Sequence, residues 1–234
     1  QLVATAFACR SLGLKSIGIV RGEKPAILSP TLLQCIDHGM QLKFVSREVY
    51  ALKENENLIQ SFREEYGEGL VIPEGGYHPL GAKGAAGIMD LIEDNDYSHI
   101  CIAVGTATTL AGILMAAKKD QIIQAIPVLK GMTDIDERIN FLTGNKPVAA
   151  PLEILDHYHF GGYAKYTTAL TQFMNRCWQQ LELPLDFVYT AKMFYGVMDC
   201  IKNNHYPRGS KILCLHTGGL QGNISLPPGT LLYH

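Results

Sequence analysis

The stretch Ile100-Cys101-Ile102-Ala103-Val104-Gly105-Thr106-Ala107-Thr108-Thr109-Leu110-Ala111-Gly112 decides the fold. An apolar run of strand character breaks at a glycine, passes through small hydroxyl residues and enters an Ala/Leu-rich helix. A strand, a tight turn and a helix start in this order build an anion site. The unpaired amides of the helix start point outward, the helix dipole favours negative charge there, and small side chains let a phosphate approach. The spacing excludes two familiar phosphate motifs. A P-loop needs Lys followed by Ser or Thr after the second glycine, whereas Gly112 is followed by Ile113-Leu114. A dinucleotide fingerprint needs three close glycines and an acidic residue about 20 positions on, and both are missing. A plain strand–helix turn with small packing residues accounts for the spacing equally well.

Outward from this segment, apolar runs of strand length alternate with helical patterns. Residues 16–20, 41–45, 70–72, 99–104, 122–128 and 211–215 read as strands. Residues 2–12, 30–38, 54–66, 83–93, 108–117, 166–181 and 191–203 read as helices. Strands separated by helix-length segments imply an α/β fold with parallel sheets and crossover helices. Gly13, Gly39 and Gly67 each follow a helical segment, where a left-handed cap is expected. The Gly- and Pro-dense segment 72–81 is the best internal boundary. It implies a smaller α/β domain over residues 1–75 and a larger cofactor-binding one over residues 76–234. The opening, Gln1-Leu2-Val3-Ala4, is already helical in pattern, with no initiator Met and no capping residue before it. The expectation is that Gln1 is not the native start and that the larger domain lacks its N-terminal part.

The composition narrows the function classes. The chain has 234 residues, 47% hydrophobic and 18% charged, so it can bury a substantial core. Its net charge of -2 provides no basic footprint for nucleic acid or an anionic membrane. No apolar run reaches the length of a membrane span, and no signal peptide opens the chain. Six scattered cysteines without a C-x-x-C pair read as free thiols of a reducing compartment rather than a zinc site or disulfide framework. A cytoplasmic protein is expected, with no metal site.

Several motifs occur together in one order: Ile17-Gly18-Ile19-Val20-Arg21-Gly22-Glu23, Pro73-Glu74-Gly75-Gly76 with His78-Pro79-Leu80-Gly81, the Gly105-to-Gly112 loop, Gly161-Gly162-Tyr163, Phe187-Val188-Tyr189-Thr190-Ala191-Lys192, and Leu215-His216-Thr217-Gly218-Gly219. With these, the chain resembles the fold type II (tryptophan synthase β-like) pyridoxal-phosphate enzymes, in the branch of 1-aminocyclopropane-1-carboxylate deaminase and D-cysteine desulfhydrase. The resemblance implies pyridoxal 5'-phosphate as cofactor, with Gly105, Thr106, Ala107, Thr108 and Thr109 as its phosphate cradle. It implies Tyr163 and Tyr189 as the active-site tyrosines, sharing one cleft near that cradle, with Tyr189 as the better proton carrier. Thr190 matches the partner of the pyridine nitrogen, Thr217 lies nearby, and Gln1 matches a residue that binds the substrate carboxylate.

Each of these residues also has a structural explanation. Tyrosines usually pack with one polar tip, Thr190 suits an N-cap for the following helix, and His216 at a strand end suits a satisfied core histidine. The family's Schiff-base lysine lies upstream of the matched region, and neither Lys83, Lys165 nor Lys192 matches its position.

In the deaminase a glutamate follows the second tyrosine and a leucine follows the strand-end histidine; Thr190 and Thr217 resemble the desulfhydrase pattern instead. A neutral hydroxyl at the pyridine nitrogen makes a weaker electron sink than a carboxylate does. That favours αβ-elimination from D-cysteine, releasing pyruvate, ammonia and sulfide, over opening of a cyclopropane. The alternatives are 1-aminocyclopropane-1-carboxylate deaminase and, in another class, a non-catalytic phosphate-ligand binding protein on the same scaffold. The implied partners are a small amino-acid substrate and, by resemblance, a second copy in a homodimer.

Overall fold

The computed structural model describes residues 1–94 and 96–233. The chain divides into two compact units, Gln1–Pro73 and Glu74–His234. Both are α/β with parallel strands.

The first unit pairs β1 (Ile17–Arg21) with β2 (Gln41–Val45) in parallel, Ile17 opposite Gln41 and Arg21 opposite Val45. Helix α1 (Leu2–Ser11) precedes β1, and α2 (Pro30–Asp37) connects the strands. Ser29 caps α2, its hydroxyl accepting from the Leu32 amide, and Pro30 occupies the first turn where its missing N–H is not needed. Ala6, Cys35 and Met40 form the core, with Leu2, Val3 and Leu42 packed against it. Two further helices, α3 (Arg47–Ala51) and α4 (Glu56–Tyr66), follow β2; their caps are Ser46 and Asn55. Gly13, Gly39 and Gly67 all have positive φ, as helix-ending glycines should. Residues 70–72 are not a strand. Leu70, Val71 and Ile72 are exposed between Gly69 and Pro73, and the proline removes a ladder donor where a third strand would pair.

The second unit carries a four-stranded parallel sheet in the order β5-β4-β3-β6: β3 (His99–Val104), β4 (Ile122–Pro127), β5 (Leu152–Ile154) and β6 (Ile212–Cys214). Strand β3 is central, with His99 opposite Ile122 on one side and Ile212 on the other. Its residues are apolar on both faces because both faces are covered. Ile100, Ile102 and Val104 face a core shared with α5 (Pro79–Ala86), α6 (Thr108–Ala116) and α7 (Ile135–Thr143). Cys101 and Ala103 face the core formed with α9 (Thr190–Lys202). Full burial of each such isoleucine contributes roughly 1.5–3 kcal/mol. Helix α8 (Thr168–Leu181) packs Leu170, Phe173, Met174 and Cys177 against Leu185, Phe187 and the C-terminal Leu231 and Tyr233. The one amide buried inside the sheet, Gln124, is satisfied by the Cys101 thiol, the Tyr206 hydroxyl and Glu153.

Helix α5 starts earlier than its apolar pattern predicts. His78 Nδ1 accepts from the Leu80 amide at 3.1 Å and Pro79 takes the first position, so the His-Pro pair opens a helix rather than a linker. Helices α5 and α6 pack at backbone distance: a Cβ on Gly112 would lie 2.5 Å from the Ala82 carbonyl and 2.7 Å from the Ala86 nitrogen. All six cysteines are free. Among the described residues no helix is long and apolar enough to cross a membrane.

Candidate active site

Strands β3 and β6 are parallel neighbours, so the segments leaving their C-terminal ends start side by side. Open α/β sheets bind ligands outside the carboxyl ends of their strands. The segment after β3 is Gly105–Thr109. Ala107 sits at φ 69, left-handed, and precedes α6 with no side chain capping the helix start. The first amides of α6 are therefore left for a ligand or solvent. Two hydroxyls stand beside them, Thr106 Oγ1 and Thr108 Oγ1, 2.9 Å apart. Thr106 Oγ1 also donates to the Gly75 carbonyl at 3.3 Å, which ties the loop to the 3-10 turn Glu74–Gly76. Oriented amides, a hydroxyl pair and an uncapped helix dipole fit a phosphate group.

Tyr189 closes the next side. A Cβ on Gly105 would lie 3.2 Å from Tyr189 Cε1 and 3.4 Å from its hydroxyl, so the phenol lies against the loop because residue 105 has no side chain. The Tyr163 ring meets it edge-on, with centroids 6.0 Å apart. The two tyrosines, 26 positions apart in sequence, thus stand together beside the loop. Burial raises the Tyr189 phenol above its ordinary range, and the neighbouring Tyr163 and the carboxylates of Asp186 and Glu74 push it the same way. Tyr189 therefore holds its proton at neutral pH. Tyr163 is 55% exposed.

Thr190 is placed differently from a ring-nitrogen partner. Its side chain is fully buried. Its hydroxyl donates to Asp186 Oδ2 at 2.7 Å and accepts from the Asp186 amide at 2.8 Å. Asp186 Oδ1 accepts from the amides of Val188 and Tyr189, and Oδ2 from that of Thr190. The cap of α9 is thus Asp186, with Thr190 as its partner inside the first turn, which does not fit a hydroxyl presented to a pyridine nitrogen. Thr217 follows β6 and is exposed. Its segment is held by His216, whose Nε2 pairs with the Pro184 carbonyl at 2.9 Å and whose Nδ1 accepts from the Gly218 amide. His216 is satisfied, although at the surface rather than in the core. In the first unit, the Gln1 side-chain amide donates to the Pro73 carbonyl at 2.8 Å.

Four residues of this region received no site role from the sequence. Gly75, at φ 70, takes Thr106 against its backbone, and the tandem Gly75-Gly76 was the available signal. Glu74 places its charge near Tyr189. Asp186 stands four residues before Thr190, a spacing that signals a cap. Lys192 is fully buried in α9, with Nζ on the Gly162 carbonyl at 2.7 Å; the sequence marks it only as the last residue of a motif, and its burial leaves no signal there.

Comparison with known proteins identifies the family. The family model "Pyridoxal-phosphate dependent enzyme" matches residues 3–218. A Pyrococcus horikoshii protein named "Putative 1-aminocyclopropane-1-carboxylate deaminase" is 29% identical over 233 residues, covering 94% of this chain and 70% of that protein. The Arabidopsis thaliana protein named "Bifunctional D-cysteine desulfhydrase/1-aminocyclopropane-1-carboxylate deaminase, mitochondrial" is 28% identical over 94% of this chain and 61% of its own length. A solved structure described as an ACC deaminase homologue superposes with a TM-score of 0.74 at 28% identity, over 95% of this chain and 71% of that one. With a cofactor-family match across nearly all of its length and a cradle that fits the cofactor's phosphate, the chain belongs to the pyridoxal-phosphate-dependent enzymes of fold type II.

Proposed function

We propose that this protein uses pyridoxal phosphate to release ammonia from a small amino acid, with 1-aminocyclopropane-1-carboxylate as the first substrate to consider and D-cysteine as the second. The observation that carries the reading is Tyr189 standing against Gly105, which puts a protonated phenol beside the phosphate loop. Bound pyridoxal phosphate serves as an electron sink for the amino acid's Cα. The amides of Thr108 and Thr109 and the hydroxyls of Thr106 and Thr108 hold the phosphate; Gly105 and Ala107 shape the turn. Tyr189 delivers or holds a proton at its phenolic oxygen; burial keeps that phenol protonated, and Tyr163 adds to the effect. Thr217, exposed beyond β6, is a third threonine hydroxyl for the ligand.

Names among the relatives support the cyclopropane substrate: the Pyrococcus protein carries that designation, and the Arabidopsis name joins it to D-cysteine. The sequence argument for D-cysteine relied on Thr190 as a neutral partner of the ring nitrogen, and it weakens where that hydroxyl is bonded to Asp186. D-cysteine stays in view because the Arabidopsis name carries it. The test is to express the protein from its complete gene, load it with pyridoxal phosphate, and measure ammonia with 2-oxobutanoate or pyruvate from the two substrates. Ammonia from the cyclopropane at the higher kcat/KM is the expected result. Faster release from D-cysteine would reverse the order, and cofactor binding with no release from any small amino acid would favour a binding protein.

A further inference from the structure

Lys192 stands where a lysine is least welcome. It is fully buried, and charged lysines are almost never fully buried without a partner. It also sits in the first turn of α9, at the positive end of the helix dipole, which disfavours a cation. Burial pulls its ammonium down from 10.5 to about 8, against an opposing pull from Asp186. A methionine would fill similar space without that penalty. What methionine could not supply is the hydrogen bond from Nζ to the Gly162 carbonyl at 2.7 Å, spanning 30 positions of chain.

The segment it reaches is unusual. Phe160, Gly161, Gly162 and Ala164 all have positive φ, at 51, 95, 116 and 53 degrees. Two of these, Phe160 and Ala164, are not glycines, and a left-handed conformation is unfavourable for a residue that bears a side chain. The bonds within the segment are local: Gly161 and Gly162 amides to His159, and the Lys165 amide to the Gly162 carbonyl. Local bonds fix the shape of a loop but not its placement. Gly162 is buried while Tyr163, the next residue, is more than half exposed. So the chain is gripped at the carbonyl that immediately precedes the tyrosine.

We propose that Lys192 is a positioning residue for Tyr163: by holding the Gly162 carbonyl, it fixes the left-handed segment 160–164 and sets the Tyr163 ring edge-on against Tyr189. This rests on the proposed function, because it takes Tyr163 and Tyr189 as the proton-handling pair. The consequence is that α9 positions both tyrosines. Tyr189 directly precedes the helix, and Tyr163 is held through the third residue of the same first turn. Their spacing is then fixed by one rigid element.

The test uses the protein from its complete gene, with three measurements: ring resonances of 13C-labelled tyrosine, the dissociation constant of pyridoxal phosphate by fluorescence, and kcat. Lys192→Met is expected to shift the Tyr163 resonance while leaving that of Tyr66, at the end of α4 in the first unit, in place. It should leave the cofactor dissociation constant within twofold and lower kcat at least tenfold. Lys192→Gln keeps an N–H donor on a shorter stem and should recover part of both effects. Should Lys192→Met not fold, Lys192→Gln carries the same measurements, and a shifted Tyr163 resonance is again the expected result. In a Tyr163→Phe background, Lys192→Met should change kcat less than twofold, because a residue acting through Tyr163 has little left to act on. An unmoved Tyr163 resonance, or the same loss of kcat in both backgrounds, overturns the proposal. So does cofactor trapped on Lys192 itself after borohydride reduction and peptide mapping. Should the unaltered protein bind no pyridoxal phosphate, the functional reading fails, and the Tyr163 resonance alone decides the positioning role.

Discussion

Gly75→Ala perturbs the phosphate loop from outside it. Two separate terms follow from the geometry. Gly75 has φ 70 and ψ 7, a left-handed conformation that costs an alanine roughly 1–2 kcal/mol. The new methyl would overlap Thr106 Cγ2 outright, and it would lie 2.7 Å from Thr106 Oγ1 and 3.0 Å from Thr106 Cβ, where ordinary contact begins at 3.4 Å. Thr106 must swing out of its present position, and relieving such an overlap costs typically ~1–3 kcal/mol. The sum is about 2–5 kcal/mol of stability. The movement also breaks the Thr106 bonds to the Gly75 carbonyl and to Thr108. Losing one hydroxyl contact to a charged phosphate then weakens cofactor binding by about 1.5–3 kcal/mol, or roughly 10- to 150-fold. Gly131→Ala is the matched control: its φ is also 70, in the same unit, but a Cβ there meets nothing within 4 Å. It should lose only the backbone term and bind cofactor normally. Urea unfolding and fluorescence titration with pyridoxal phosphate measure both terms. If Gly75→Ala binds the cofactor as tightly as Gly131→Ala does, Thr106 does not hold the phosphate and the cradle is misassigned.

Two further outcomes follow from α9. Asp186→Ala removes the acceptor of three amides and one hydroxyl at the helix start, and should cost about 3–4 kcal/mol in urea unfolding at roughly 1 kcal/mol for each bond; a loss under 1 kcal/mol would mean that the turn holds itself. The depressed Lys192 value sets a pH dependence whose sign is fixed. Between about pH 8 and 10.5 the unfolded chain binds the Lys192 proton more than the folded one does, so this group's contribution to stability rises with pH across that window. The stability of the unaltered protein minus that of Lys192→Met should climb by roughly 3 kcal/mol from pH 7.5 to 10.5. The subtraction cancels the raised cysteine and tyrosine groups, which act in the opposite direction. A flat difference would mean that the ammonium is not desolvated.

The readable parts of the sequence were those with a local cause. The central strand and loop at 99–112 were legible because a buried parallel strand is a continuous apolar run, and because only a glycine and small residues can make the turn into α6. The pairing of Tyr163 with Tyr189 was legible through family likeness alone; no period or spacing links two residues 26 positions apart. Strand β5 was missed because three half-buried or exposed residues at a sheet edge leave no pattern. Helix α7 left one, Ile135, Ile139 and Leu142 at helical spacing, and went unread beneath the polar residues between them. Residues 70–72 show the opposite error, an apolar triplet with no partner to pair with. At the site, Thr190 and Asp186 show how a polar pair at a helix start looks the same in sequence whether it serves a ligand or the backbone.

The close approach of α5 and α6 at Gly112 has a reach beyond packing. Gly112 lies four residues beyond Thr108, about 6 Å along the helix axis at 1.5 Å per residue. It acts as the fulcrum of a short lever whose far end is the phosphate-facing turn. A side chain at 112 would push α6 away from the Ala82 carbonyl and tilt its first amides off the direction in which they now point. With the proposed cradle at this turn, cofactor grip would be adjustable from a position outside the cradle, and small-residue changes along α5 would offer a graded way to tune it.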